Sequence, residues 1–142
     1  MGHYQYTLKP TGRREIITEL SGRTTAYCYD NLNRLQDEVI FDSVVTPLTT
    51  GCLTDTAAAS YQANYQYDWV GNRDYETVDG VQTDYHYDNN DRLSQTCGTS
   101  YVYDDNGNTL TETLDNQVTT YTYDGRNKMT SVTKGGVTTG YS

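Results

Sequence analysis

Apolar and polar residues alternate with a period of two along most of this chain, and tyrosine marks the alternation. Tyr27 and Tyr29, Tyr65 and Tyr67, Tyr85 and Tyr87, Tyr101 and Tyr103, and Tyr121 and Tyr123 each flank one variable residue. An aspartate follows every pair: Asp30, Asp68, Asp88, Asp104 and Asp124. Side chains in a strand leave opposite faces in turn, so the two tyrosines of a pair share one face. Thr and Val dominate the intervening segments, which suits strands rather than helices. The pattern predicts an all-β chain, an antiparallel meander of β-hairpins of about a dozen strands, two per repeat.

The first tyrosines of successive copies are 38, 20, 16 and 20 residues apart. Tyr141 stands a further 20 on, so the array is read as a single domain, 1–142, whose last copy is cut at Ser142. Upstream, Tyr6–Arg14 fits the same frame with Leu8 and Lys9 in the places of tyrosine and aspartate. The long step is one period plus an insertion at 42–60, which contains Pro47 and Gly51, lacks alternation and reads as a surface loop.

Two kinds of turn punctuate each period. The first runs from the aspartate through two variable residues to Gly, Asn or Asp, then usually to a basic or amide residue, as in Asp30–Arg34 and Asp68–Asn72. A turn aspartate accepts from the backbone two residues on, and the fourth position suits a left-handed conformation. That combination predicts a type I turn closed by a glycine-type bulge. The second kind falls at Ser21-Gly22, Asp79-Gly80, Cys97-Gly98, Asp115-Asn116 and Gly135-Gly136, dipeptides that suit two-residue hairpin turns.

Composition alone points elsewhere. Leu, Ile, Val and Phe make only 23 of 142 residues and the net charge is −9, a profile typical of disorder. The repeat outweighs it, because tyrosine supplies large apolar area with a polar tip. Equivalent tyrosines are expected to lie side by side as ring ladders, with a wet face for their hydroxyls. So few aliphatics suit a curved sheet, a section of a larger wall or spiral, better than a compact sandwich. The acidity excludes nucleic-acid binding through a basic face. No stretch approaches a membrane span, and Met1–Tyr4 begins no signal segment.

The quoted tetrapeptides resemble the YD-repeat, or RHS-repeat, family, whose consensus is close to Tyr-x-Tyr-Asp-x-x-Gly-Arg-Leu. Tyr85–Leu93 follows it with Asp91 in place of the glycine. The resemblance implies strips of β-hairpins that spiral into a hollow shell in secreted or surface proteins, mainly bacterial. In toxin members the shell encloses a variable toxin domain. This chain is similar to an internal excerpt: Pro10 and Pro47 follow Lys9 and Thr46, so the Asp-Pro self-cleavage signature is missing. The expected partners are neighbouring repeats of a parent chain, or further copies, joined through edge strands.

No catalytic, cofactor-binding or metal-binding residue is singled out. Asp104, Asn106 and Asn108 have the spacing of a calcium loop, but Thr109 stands where such a loop needs glycine and Asp115 where it needs glutamate. Turn capping accounts for the aspartates more simply, and acids spread along a sheet edge do not make a paired-carboxylate site. His3 and His86 have no Cys or His partner at ligand spacing. Cys28, Cys52 and Cys97 are odd in number and irregular in spacing, and read as free thiols. Trp69 sits in a turn. It is a candidate for stacking on a glycan in an adhesion or carbohydrate-binding module, with packing on the neighbouring hairpin as the alternative.

Overall fold

The computed structural model describes residues 4–42 and 50–141, which form thirteen strands and no helix. His3 and Pro47 lie outside the described residues. The chain divides into two compact units, residues 1–83 and 84–142. The first holds β1 (Tyr4–Leu8), β2 (Arg14–Glu19), β3 (Thr24–Tyr29), β4 (Leu35–Phe41), β5 (Tyr61–Tyr67) and β6 (Arg73–Val78). β7 (Val81–Tyr87) passes from one unit into the other. The second continues with β8 (Leu93–Thr96), β9 (Thr99–Tyr103), β10 (Thr109–Leu114), β11 (Gln117–Tyr123), β12 (Met129–Lys134) and β13 (Val137–Gly140). From β1 to β6, and again from β7 to β13, each strand pairs antiparallel with the next in sequence.

Both turn types have their backbone signatures. In the first, Asp30 N–H donates to Arg34 O and Asn33 N–H to Asp30 O, each at 2.9 Å, and the same pair of bonds recurs at Asp68, Asp88, Asp104 and Asp124. The fourth residue is left-handed throughout: Asn33 at φ 62°, Gly71 at 103°, Asp91 at 59°, Gly107 at 89° and Asn127 at 60°. The ladder slips beside the second tyrosine each time, which brings Tyr29 opposite Leu35 and Tyr67 opposite Arg73. That slip is the bulge the turn requires. Lys9–Arg13 closes with the same bonds, as its sequence frame implies.

At Asp79-Gly80, Cys97-Gly98, Asp115-Asn116 and Gly135-Gly136 both residues have positive φ, the type I′ pattern. Ser21-Gly22 corrects the expectation. Only Gly22 is left-handed there, and Glu19 N–H bonds Arg23 O, so this is another turn of the first kind. Ser21 supplies the side-chain acceptor instead of an aspartate, taking the Arg23 N–H at 3.3 Å.

Residues paired across strands share a face, which sorts the first unit into two sides. Ile16, Ala26 and Val39 align on one, with Thr24 opposite Phe41 and Cys28 opposite Asp37. Tyr6, Tyr27, Tyr61 and Tyr65 lie on the other, whereas Tyr75, opposite Gln66, lies on the first. Among the described residues the buried apolar side chains are Ile16, Ala26, Cys28, Val39, Phe41 and Ala63, all in the first unit. Residues 50–60 of the insertion form no strand and lie against the Cys28 side. Here the free-thiol expectation is wrong: Cys28 and Cys52 form a disulfide across a sequence separation of 24. In the chain-entropy picture, closing a loop of that length contributes about 3 kcal/mol. Cys97 is exposed and stands outside that disulfide.

The left-handed turn position is directly testable. Gly107→Val is expected to cost about 1–2 kcal/mol in chemical denaturation, because a β-branched residue resists positive φ. Asp91→Gly at the equivalent position is expected to be neutral or stabilising.

Candidate functional site

The turn aspartates are intramolecular acceptors. Asp30 Oδ1 takes the N–H of Leu32 at 2.9 Å and of Arg34 at 2.8 Å, while its Oδ2 takes Arg34 Nε at 2.7 Å. Asp88 repeats the arrangement with Asn90 and Arg92 at 2.9, 3.0 and 2.7 Å. In Asp68 and Asp104 an amide replaces the guanidinium: Asn72 Nδ2 at 3.2 Å and Asn108 Nδ2 at 2.8 Å. Asp124 Oδ1 holds the N–H of Arg126 and Lys128 at 2.8 and 3.0 Å.

These bonds favour the ionised carboxylate and hold four of the acids below the ordinary aspartate value. At Asp30 the Arg34 N–H is the largest cause, and at Asp104 the Asn108 side chain. At Asp68 and Asp88 partial desolvation pushes upward, but the hydrogen-bond donors together outweigh it. Asp104, Asn106 and Asn108, spaced like a calcium loop, turn their donors and acceptors on one another. Among the described residues no group of three or more His, Cys, Asp or Glu side chains is placed to hold a metal.

The second tyrosine of a pair ties its repeat to the one before. Tyr29 OH donates to Arg14 O at 2.9 Å, Tyr67 OH to Leu35 O at 2.7 Å, Tyr103 OH to Leu93 O at 2.7 Å and Tyr123 OH to Thr109 O at 3.0 Å. Each acceptor is the first residue after the preceding turn. In three of these joints the basic residue that ends that turn covers the ring. Arg13 lies 5.3 Å from the Tyr29 centroid, Arg34 4.5 Å from Tyr67 and Arg92 4.8 Å from Tyr103. Such cation–π contacts contribute of order 0.5–1 kcal/mol at exposed sites. Arg92 Nη1 also reaches Asp104 O at 2.9 Å, and Asn108 Nδ2 reaches Asn127 Oδ1 at 2.9 Å, each joining one turn to the next.

The expected ring ladder is therefore corrected. A stacked ring pair occurs at Tyr4 and Tyr6, 6.3 Å apart, but cations cover Tyr29, Tyr65, Tyr67 and Tyr103. Equivalent tyrosines sit two strands apart, and the rings meet arginines that end the turns (Arg13, Arg34, Arg92) or begin a strand (Arg73). The sequence reading missed Arg13, Arg34, Arg73 and Arg92 as partners. For Arg13, Arg34 and Arg92 the signal was the basic residue at the close of the turn; Arg73 is instead the first residue of β6.

The first tyrosines are set differently. Tyr121 OH donates to Glu112 Oε2 at 2.8 Å, and that bond, with burial, pushes its pKa up to about 12. Burial raises Tyr65 to about 12 and moves Tyr27 upward as well. Tyr85 and Tyr87 lie in β7, opposite Thr96 and Leu93, and Tyr101 lies in β9, opposite Glu112. His86 is exposed. Trp69 does not pack on the neighbouring hairpin: its relative exposure is 104 %, and it borders an open groove of about 360 Å³ with Leu32, Arg34, Tyr67, Asp68 and Asp74.

Part of the chain matches a known repeat. The RHS Repeat family model matches residues 103–139, which span Tyr103, the turns that begin at Asp104 and Asp124, and the strands from β10 into β13. That match covers about a quarter of the chain. No curated protein matches the sequence. The solved structures similar to it include the crystal structure of TcdB2-TccC3-Cdc42, with a TM-score of 0.69 at 20 % identity over 91 % of this chain. The crystal structure of TcdB2-TccC3 gives 0.67 at the same identity and coverage. The Photorhabdus luminescens Tc holotoxin pore with a TccC3 mutation gives 0.53 at 18 % identity over 97 %. This chain spans 7 % of the length of each of those chains. At such identities the likeness is one of fold alone.

The aspartate clamps of the turns set an acid limit. Lowered folded values mean that their stabilisation is complete above the ordinary value of 3.8 and is lost as pH falls through the lower folded value. Urea denaturation of an Asp30→Asn, Asp88→Asn double variant is expected to show a shallower loss of stability than wild type between roughly pH 5 and pH 2.

Proposed function

We propose that this chain is a non-catalytic structural module, a section of a β-strip wall in a secreted or surface bacterial protein of the RHS type. The observation that carries this reading is the repeated joint, in which the second tyrosine hydroxyl, with an arginine over its ring in three of the four, ties a hairpin to the one before. A surface built of recurring joints extends by addition of further hairpins. In a toxin-enclosing shell the wall would meet its enclosed toxin domain through general contacts rather than a dedicated pocket. The turn carboxylates are engaged by their own backbones, which supports a role in shaping turns rather than in proton transfer. The disulfide suits an oxidising compartment, as a secreted protein would meet. Among the described residues no helix is long and apolar enough to cross a membrane.

β1 and β13 are exposed along their lengths, and among the described residues each pairs with one strand only. Unpaired edges of this kind accept further strands, from a parent chain or from other copies. Size-exclusion chromatography with light scattering tests the self-pairing. Mass is expected to rise with protein concentration, and a monomer mass at every concentration overturns association through the edges.

A second reading, carbohydrate binding, is favoured by the exposure of Trp69 beside Asp74 and Arg34. An exposed indole presents a flat face to a pyranose ring, and the charged neighbours offer hydroxyl partners. Glycan-array binding is expected to disappear in Trp69→Ala, while an array blank for the wild-type chain removes this reading.

A further inference from the structure

We propose that residues 50–60 are a thiol-released strap, held closed over one face of the first unit by the Cys28–Cys52 disulfide. This inference does not rest on the wall reading; it concerns how one face is covered. The middle residue of each Tyr-x-Tyr-Asp copy is an internal comparison. Val102 is 54 % exposed at that position, His86 and Thr122 are exposed and Gln66 is half-buried, whereas Cys28, beneath the strap, is 7 % exposed. The strap converts a solvent-facing position into a buried one.

Its fit is local and specific. The Glu15 carboxylate accepts from Thr50 Oγ1 at 3.2 Å and from Gly51 N–H at 3.0 Å. A Cβ at Gly51 would collide with the Tyr27 carbonyl oxygen and lie 2.8 Å from that of Glu15, so the backbone approaches the strands as closely as glycine allows. Farther along, Thr56 Oγ1 donates to Gln62 Oε1 at 2.9 Å, and Gln62 Nε2 returns a bond to Thr56 O at 3.0 Å. Leu53 and Thr56 roof a cavity of about 300 Å³ over Val39 and Asn64.

The disulfide is the one covalent hold among these contacts. The rest are hydrogen bonds, whose net worth in water is modest because solvent replaces them. Cys52 is exposed and Cys28 buried, so an attacking thiolate reaches the Cys52 sulfur. The S–S bond breaks, the reagent sulfur bonds to Cys52, and Cys28 leaves as a thiolate that takes up a proton. A second small-molecule thiol attacks the mixed disulfide. The products are two cysteine thiols and the oxidised reagent, two electrons having passed from two thiols to the protein disulfide. Release uncovers the side that carries Ile16, Ala26 and Val39. The strap therefore stays closed in an oxidising medium and opens in a reducing one.

Hydrogen exchange by mass spectrometry on the intact chain, with and without reduced glutathione, tests this. Peptide mapping before reduction should return a Cys28–Cys52 crosslink. On reduction, exchange across 50–60 and 24–41 is expected to rise about tenfold or more, while 84–141 stays unchanged. Reoxidation should restore the slow pattern. Cys97→Ser should respond as wild type, and Cys52→Ser should match the reduced wild type. Should Cys52→Ser fail to fold, the reversible reduction of the wild-type chain decides alone. Equal exchange in both states, a response lost in Cys97→Ser, or alkylation of Cys28 and Cys52 before reduction overturns the proposal.

Discussion

One carboxylate oxygen, accepting the amides two and four residues ahead, shapes every Tyr-x-Tyr-Asp turn in this protein. At Asp30 and again at Asp88 it closes a five-residue turn whose fourth member must be left-handed. That turn forces the bulge, and the bulge sets the second tyrosine opposite the first residue of the next strand. Shorten the side chain's reach or slip the turn by one residue, and every side chain downstream would change faces. A small local interaction thereby controls the register of each run of strands.

The joint follows from that register. With the turn closed, its last residue stands over the ring of the following repeat, and the tyrosine hydroxyl meets the carbonyl just beyond the turn. Arg34 serves two partners at once, the carboxylate of Asp30 and the ring of Tyr67. Stabilisation is spread along the strip in many modest contacts rather than gathered in a deep centre. This reconciles a sequence poor in aliphatic residues with an ordered sheet. The exception is the first unit, where the insertion lays a second layer on one face and gives Ile16, Ala26 and Val39 something to bury against.

Much of this was legible in the sequence because the governing interactions are short-range. Strand alternation, the aspartate turns and four of the two-residue turns each depend on a few consecutive residues. Ser21-Gly22 escaped because serine and glycine suit both turn types, and the bonds of Glu19 decide between them. The cysteine pairing escaped because a 24-residue separation says nothing of where an insertion folds back. Ring contacts were misjudged for a geometric reason. Equal sequence positions do put tyrosines in matching registers, but in an antiparallel meander a strand of the opposite direction intervenes, and the arginine of the turn before it covers the ring at Tyr29, Tyr67 and Tyr103. Trp69 was recognised as unusual, yet only the folded chain shows how far it stands out into solvent.

Residue-resolved amide exchange by NMR tests the clamp most directly. The account predicts that the N–H groups of Leu32, Arg34, Asn90 and Arg92 exchange slowly, like those of the paired strands, although their turns lie at the surface. Exchange of those amides at the rate of an unstructured peptide, while the strands remain protected, would contradict it.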